Sequence, residues 1–551
     1  MLSIISFVGF TVLVAVIAWY ATRKTDETSA DGFYLGGRSL GALTIAGSLL
    51  LTNLSAEQIV GLNGQAFSEG ILVMAWETLA AIAIIATAIF LLPKYMSSGI
   101  TTIPEFIEGR FDQGTRAIMA VLFLIAFGIV LLPTILYSGS LAFSTMFDLP
   151  ELFGMSQSAV IWLCVWSIGI IGIIYAIFGG LKAVAVSDLI NAVGLMIGGL
   201  LIPFFGLSVI GNGSVMDGLN TLWNSNPEKF NAVGDVTSSI PFGTIFTGMM
   251  IAQIYYWGTN QSILQRVFGA KNLAEGQKGM IAAAFVKFLI PVIVVLPGII
   301  AWHVFEGNLE NTDQAYPALV KKVLPTAFIG FFAAVLFGAV LSSFNSLLNS
   351  SATLFGSDLY KQNFNKNSTE KQSVKAGKIA GLILAFISMS IAPFIANAPD
   401  GLFSYIQQAL GSLSVPILAV VLTGIISKRV PATGAKTVLI AGVLMYLFSL
   451  LYLGPNTIEA AVSEATANGI SNTNEIAIIK AKAYPHFLHV MGILFVINML
   501  IMLIFRLVKP KKDEEIYIPQ VTEIIDTTPW KYTLPVGLFI VILVLATYVI
   551  F

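Results

Sequence analysis

Runs of about twenty apolar residues, repeated along the whole chain, leave few folds open. Fourteen such stretches occur, at 3–22, 40–66, 70–93, 117–145, 156–177, 183–210, 240–263, 277–303, 325–352, 374–397, 402–427, 435–453, 484–507 and 532–551. In hydrocarbon every backbone N–H and C=O has to be satisfied within the protein, so a spanning segment is a helix or a strand of a closed barrel. These runs lack the alternation of barrel strands and have helix length. They predict an all-α polytopic membrane protein of 14 transmembrane helices. Composition agrees: the chain is 56% hydrophobic and 11% charged, against about 25% charged in soluble domains. With a net charge of −1 and no basic domain, nucleic acid is excluded as a partner. Cys164 is the only cysteine and its apolar setting marks an inert thiol. The first run has no basic stretch before it and no small-residue cleavage site, so it reads as a retained span.

The basic residues fix an orientation. With the N-terminus outside, 23 of the 29 Lys and Arg fall on one side. Among them are Arg23, Lys24, Arg38, Arg266, Lys271, Lys278, five lysines from Lys361 to Lys378, Arg506, Lys509, Lys511 and Lys512. The other side holds Lys229, Lys321, Lys322, Lys480 and Lys482, and Lys287 falls within a span. That asymmetry is the positive-inside pattern, and it predicts both termini outside a cell membrane. The longest loops, 211–239 and 454–483, then lie outside, and Lys509–Thr528 reads as a cytoplasmic linker. Residues 1–551 form a single membrane domain.

Several spans carry polar residues that hydrocarbon penalises by roughly 2.5–3.5 kcal/mol for a charged group. They are Asn53, Ser55, Glu57, Gln58 and Asn63 in the second span, Glu77 in the third and Asp188 in the sixth. The seventh carries "AQIYYWGTNQ", the eighth Lys287, the ninth "SSFNSLLNSS", and the eleventh Tyr405, Gln407 and Gln408. In the ninth, Ser342, Ser346, Asn349 and Ser350 recur at helical spacing with Ser343 beside them. Small polar residues at that spacing serve plain helix packing or supply oxygens to a hard monovalent cation, together with carbonyls of an unwound helix such as Asn53-Leu54-Ser55. Glu77 and Lys287 suit a buried structural ion pair or, with Gln58 and Gln407, a cavity for a polyhydroxyl ligand. Tyr256, Trp257 or Trp76 would then cover an apolar sugar face. Asp188 lies near the end of its span, within reach of the interface. His486 and His489 lack an acidic partner at metal-site spacing and read as interfacial.

From "DGFYLGGRSL" through "NLSAEQIVG", "TIPEFIEGRF", "FGGLKAVAVSD", "YYWGTNQSILQR", "AEGQKGMIAAAFVK" and "SSFNSLLNSSATLFGSDLYK", the chain resembles the sodium:solute symporter family, in particular its sodium/glucose (galactose) cotransporter branch. The resemblance implies a leucine-transporter-like core of two inverted five-helix repeats, about 40–210 and 240–427. One helix precedes them (3–22) and three follow (435–551). It implies sugar contacts at Gln58, Glu77, Lys287 and Gln407, and an inner closing aromatic at Tyr256. Leu62, Trp76 and Phe403 correspond to an outer apolar gate. Sodium ligands fall at Ser342 and Ser343 with the carbonyls of Leu51, Leu54 and Ala339. Asp188 matches an acidic residue near the sodium exit, and with Ser346 it offers a second ion site. Two positions depart from a sugar-transporting relative: Gln253 stands for Asn and Ala80 for Ser, and both bear on which sugar is taken.

The expected activity is therefore sodium-coupled symport of a monosaccharide such as glucose or galactose, with sodium as coupling ion and no cofactor. The other reading is a sodium symporter for myo-inositol, sialic acid or an amino acid. An enzyme is disfavoured because no H-E-x-x-H, G-x-S-x-G or nucleophile–base pair appears in any span.

Overall fold

The computed structural model of the protein describes residues 2–22, 34–178, 181–309, 311–397, 401–512 and 525–551. Arg23, Lys24 and residues 513–524 of the expected linker lie outside the described residues. Among the described residues the secondary structure is helical, with one isolated bridge between Leu40 and Ala270. The helices that matter here are α1 (Leu2–Thr22), α2 (Ala42–Asn53), α3 (Ala56–Glu69), α4 (Ala75–Ala86), α5 (Gln113–Ile125), α6 (Leu132–Met146), α7 (Gln157–Phe178) and α8 (Leu181–Ile210). They continue with α9 (Gly248–Gly258), α10 (Gln261–Phe268), α11 (Leu273–Leu289), α12 (Leu296–Val304), α13 (Thr326–Thr353), α14 (Glu370–Ile391), α15 (Gly401–Ile426), α16 (Ala432–Phe448), α17 (Phe487–Val508) and α18 (Thr533–Ile550).

Helix covers each of the fourteen apolar stretches, but not always as one rod. By length and hydropathy, 10 helices among the described residues qualify as membrane spans, or up to 11 if the bent pair Leu273–Leu289 and Pro291–Val304 is one span. The sequence count is higher because the second and seventh stretches are split, α3 runs on with the third stretch as one helical segment from Ala56 to Ser97, and the stretch 3–22 is not among the qualifying helices. The halves α2, α3, α9 and α10 are each too short to cross alone.

The splits have local causes. Leu54 leaves the helical region (φ −81°, ψ 63°) and Ser55 is extended, so the ladder stops at Asn53 and restarts at Ala56. Glu57 then sits in the first turn of α3, where the helix dipole favours a carboxyl group. In the seventh stretch Thr259 is non-helical, and Asn260 caps α10 by accepting from the Ser262 N–H at 2.9 Å. A 44° bend follows α11, where Pro291 lacks the N–H that the helix would need.

Packing sets the two broken helices at the centre. α2 and α13 both lie against α8, α11 packs on α2 and α4, and α9 packs on α4 and α15. Gly47 lets α2 approach α8 closely: a Cβ there would stand 2.7 Å from the Leu189 side chain. At one end of the bundle, Arg116 bonds Asp358 through Nε (2.6 Å), and Asp358 also accepts from Thr102 (2.8 Å). Gln261 accepts from the Ile103 N–H at 2.9 Å, so the short helix Ile103–Arg110 joins α5, α10 and the extension of α13. A wide cavity of about 730 Å³ opens at the opposite end, lined by Gly64, Asp313, Phe403, Gln408, Lys480 and Tyr484 among others.

Candidate functional site

Beyond the wide cavity lies a small one of about 70 Å³, with Phe403 lining both. A water molecule's share of liquid volume is about 30 Å³, so this inner space is smaller than a monosaccharide until side chains move. Its lining brings together Gln58 from α3, Trp76, Glu77 and Ala80 from α4, Gln253 and Tyr256 from α9, Lys287 from α11, and Phe403 and Gln407 from α15. Residues separated by more than three hundred positions in sequence thus share one wall.

The polar centre of the cavity is a triad. The Lys287 ammonium donates to Glu77 Oε2, and the Gln58 amide donates to Glu77 Oε1. Glu77 is 0% and Lys287 1% exposed. Two opposite charges so placed offset each other's desolvation, and removing one partner leaves the other bare. Gln253 donates to the Trp76 carbonyl at 2.7 Å, so the longer amide bridges α9 and α4. Trp76 meets Phe403 edge to face, with centroids 5.3 Å apart, between the inner and outer cavities. Leu62 is fully buried and lines neither of these cavities. Its neighbour Gly61 faces the outer one, and successive helical residues point about 100° apart. Glu57 lines the inner cavity too, and its Oε2 is buried without a hydrogen-bond partner, as are Asn53 Oδ1 and Trp76 Nε1.

Beside the break in α2–α3, the Ser343 hydroxyl lies 3.2 Å from the Leu51 carbonyl and 3.3 Å from that of Thr52. Ala339, fully buried, is one turn earlier on α13. Ser342 instead donates to Asp188, whose other oxygen accepts from Ser48 at 2.7 Å. Asp188 is therefore 0% exposed and held by two hydroxyls rather than reaching an interface. Ser346 is 3.4 Å from the Thr52 hydroxyl, and Ser350 donates to Gln265. The face of α13 is thus a seam of hydroxyls against α2 and α10. Hydroxyls and carbonyls, with one carboxylate behind them, form an all-oxygen donor set suited to a hard cation. His486 and His489 serve different ends: His486 accepts from the Leu488 N–H at the start of α17, and His489 pairs with Thr247.

Thr52, Ser48, Glu57 and Arg266 join the two sites without having been singled out as ligands from sequence. Thr52 lies in the polar interruption of the second span, a signal that was available. Ser48 is visible only once Gly47 has brought α2 against α8.

A bundle with broken helices around a cavity that holds a buried polar triad has the architecture of a multi-pass membrane carrier. The sodium:solute symporter family profile matches residues 33–442, and the chain belongs to that family. It is a sodium:solute symporter, a transporter and not an enzyme. It is 44% identical over 530 residues to the uncharacterised symporter YidK of Escherichia coli (strain K12), covering 96% of this chain and 87% of that protein. It is 32% identical to the sodium/glucose cotransporter of Vibrio parahaemolyticus, over 81% of this chain and 85% of the relative. A solved Na⁺-coupled sialic acid symporter in a substrate-bound outward-open state superposes with a TM-score of 0.67 at 20% identity, covering 93% of this chain and 98% of that one. That likeness shows the shared leucine-transporter-like fold.

Proposed function

We propose that the chain imports a monosaccharide of the glucose or galactose kind together with sodium, by alternating access. The reading is carried by one observation. The Gln58–Glu77–Lys287 triad and the Ser343 contact to the α2 carbonyls are separated only by the helix break that both share. A solute in the first and an ion in the second would each order the same Asn53–Ser55 segment, which is what coupling requires.

In this reading Gln58, Glu77, Lys287, Gln407 and Gln253 offer donors and acceptors to sugar hydroxyls. Phe403 and Trp76 close the site on the outside, and Tyr256 closes it within. Leu51, Leu54, Ala339, Ser342 and Ser343 hold sodium, and Asp188 with Ser346 forms the exit or a second ion site. The inverted repeats span about 40–210 and 240–427, and both termini lie outside the cell membrane. The wide cavity then faces outward, consistent with the few basic residues on its side. Sodium binding ties α2 to α13 and favours the outward-open form, sugar completes the inner cavity, and ion loss inside releases Tyr256.

Purified protein in vesicles under an imposed sodium gradient tests this. Labelled glucose or galactose should accumulate with sodium, and competition by myo-inositol, sialic acid and amino acids ranks the solutes. Equal uptake with potassium or choline outside would overturn the sodium reading. Full competition by a non-sugar alone would overturn the sugar reading.

A further inference from the structure

Arg266, on α10, is 0% exposed. Its Nε donates to the Thr52 hydroxyl at 3.2 Å, while both terminal nitrogens, Nη1 and Nη2, are buried with no hydrogen-bond partner. Asp188 is the carboxylate that interacts with it electrostatically, and among the described residues the two form no ion pair. Its oxygens are taken by Ser48 and Ser342. A guanidinium left so poorly compensated in a protein interior is expensive and calls for a function.

Thr52 shows where that function lies. Its hydroxyl accepts from Arg266 and stands 3.4 Å from Ser346, and its carbonyl accepts from Ser343 at 3.3 Å. One residue therefore has a fixed positive charge at its side chain and a proposed sodium ligand, Ser343, at its backbone. Below it on α13, Asn345 and Asn349, one turn apart, keep both amide atoms buried and unpartnered. They continue the hydroxyl seam toward Gln265 and Thr353, which bond each other at 2.9 Å.

We propose that Arg266 is a positioning residue that sets how weakly sodium is held. Its fixed charge opposes the ion across Thr52 and competes for the field of Asp188, so that sodium leaves along the α13 seam instead of stalling in the site. This rests on the sodium reading above. An import carrier gains from such weakening because slow release of a tightly held ion would limit turnover. The same residue joins α10, which follows the break of the seventh stretch, to α2, which precedes the break of the second. The charge therefore moves with the helices whose rearrangement opens the site.

The test is direct binding of radiolabelled ²²Na⁺ to the purified full chain, alongside sugar uptake in vesicles. Arg266→Gln should bind sodium about tenfold more tightly, the scale Coulomb's law gives for unit charges about 10 Å apart at an effective dielectric near 20. Its maximal uptake rate should fall while half-saturation in sodium also falls. Arg266→Lys, which keeps the charge, should stay within about twofold of the parent affinity by the same reasoning. Unchanged or weaker sodium binding in Arg266→Gln overturns the proposal, as does an Arg266→Lys variant that behaves like Arg266→Gln. Where Arg266→Gln does not fold, the pair Arg266→Gln with Asp188→Asn removes both charges. It should bind sodium more tightly than Asp188→Asn alone, and equal affinity would overturn the proposal. A parent protein that binds no sodium at all would instead sink the proposed function.

Discussion

The Glu77–Lys287 pair serves as both scaffold and recognition surface, and a substitution series separates the two roles. Lys287→Met leaves a buried carboxylate with only the Gln58 amide, which should cost about 3–5 kcal/mol in thermal or denaturant stability. Glu77→Gln combined with Lys287→Met removes both charges and should regain most of that stability, since an apolar or neutral replacement of a buried pair is close to neutral. If the pair also contacts solute, the double variant will be folded yet fail to transport. Normal uptake by a stable double variant would show the pair to be structural only. On the ion side, Ser343→Ala should weaken sodium binding at least tenfold while changing stability by about 1 kcal/mol, the usual net worth of one hydrogen bond. Ser342→Ala acts differently, because it strips Asp188 of one of its two hydroxyl donors.

At the scale of helices, two residues outside the spans hold the ends of α3 and α15, which both line the wide cavity. Lys229 caps the C-terminus of α3, donating to the Phe67 and Ser68 carbonyls at 3.1 and 2.5 Å, with its ammonium 3.6 Å from the Trp302 ring centroid. It interacts with the negative end of the helix dipole and the negative face of the indole at once. Lys229→Met should therefore destabilise the fold by roughly 1–3 kcal/mol. Gly70, just beyond, takes φ +81°, and a Cβ there would meet the Lys229 carbonyl at 2.3 Å. Asp313 acts on α15, both carboxylate oxygens facing the Leu402 N–H, one residue before Phe403. Burial pushes its carboxyl up to about 6 from the ordinary 3.8, against the lowering effect of the Leu402 N–H. Tyr137 interacts with it electrostatically, and the Asn311 side chain accepts from its backbone N–H at 2.9 Å. With the value raised in the buried state, the closed arrangement gains stability that is fully present below pH about 4 and is lost as pH rises through about 6. Any opening that hydrates Asp313 is thus favoured at higher pH. A cysteine at Phe403 should react with an aqueous thiol reagent faster at pH 7 than at pH 5, after correction for the thiol's own titration. Asp313→Asn should flatten that difference, and an unchanged slope would assign it to another group.

Much of this element-level order was legible in the sequence. Apolar length gave the helices, and the Asn-Leu-Ser interruption gave the first break, because Asn53 and Ser55 on either side of Leu54 interrupt an otherwise apolar run. The second break, at Thr259, was hidden inside "YYWGTNQ", where aromatic bulk keeps the hydropathy high. The polar triad was readable as residue types, but the roles of single side chains were not. Arg266 counts with the interfacial basic residues by position, and only the fold reveals that α10 turns it into the bundle. Asp188 was equally consistent with an interfacial carboxylate until Ser48 and Ser342 came to either side of it. Lys229 and Asp313 sit in loops with no periodicity to interpret, and their partners are backbone groups that composition cannot reveal.

For the molecule as a whole, the two cavities and the ion seam make the charge moved per cycle the decisive quantity. One sodium carried inward with a neutral sugar through 100 mV gains about 2.3 kcal/mol. At about 1.4 kcal/mol per factor of ten, that supports roughly 50-fold accumulation with sodium equal on both sides. If Asp188 and Ser346 hold a second ion, the work doubles and the limit rises to roughly 2,000-fold. Vesicles clamped near −100 mV by a potassium gradient, with equal sodium inside and out, distinguish these cases from the steady-state sugar ratio alone. The parent protein should concentrate sugar at this voltage and lose the gradient when the potential is collapsed. A ratio that falls from the higher limit to the lower in Ser346→Ala would assign the second ion to that residue. A parent ratio at the lower limit, unmoved by Ser346→Ala, would leave Asp188 to the exit route of a single ion. No accumulation at all under the clamp would mean that solute and charge are not moved together, and the coupling built on the shared helix break would have to be abandoned.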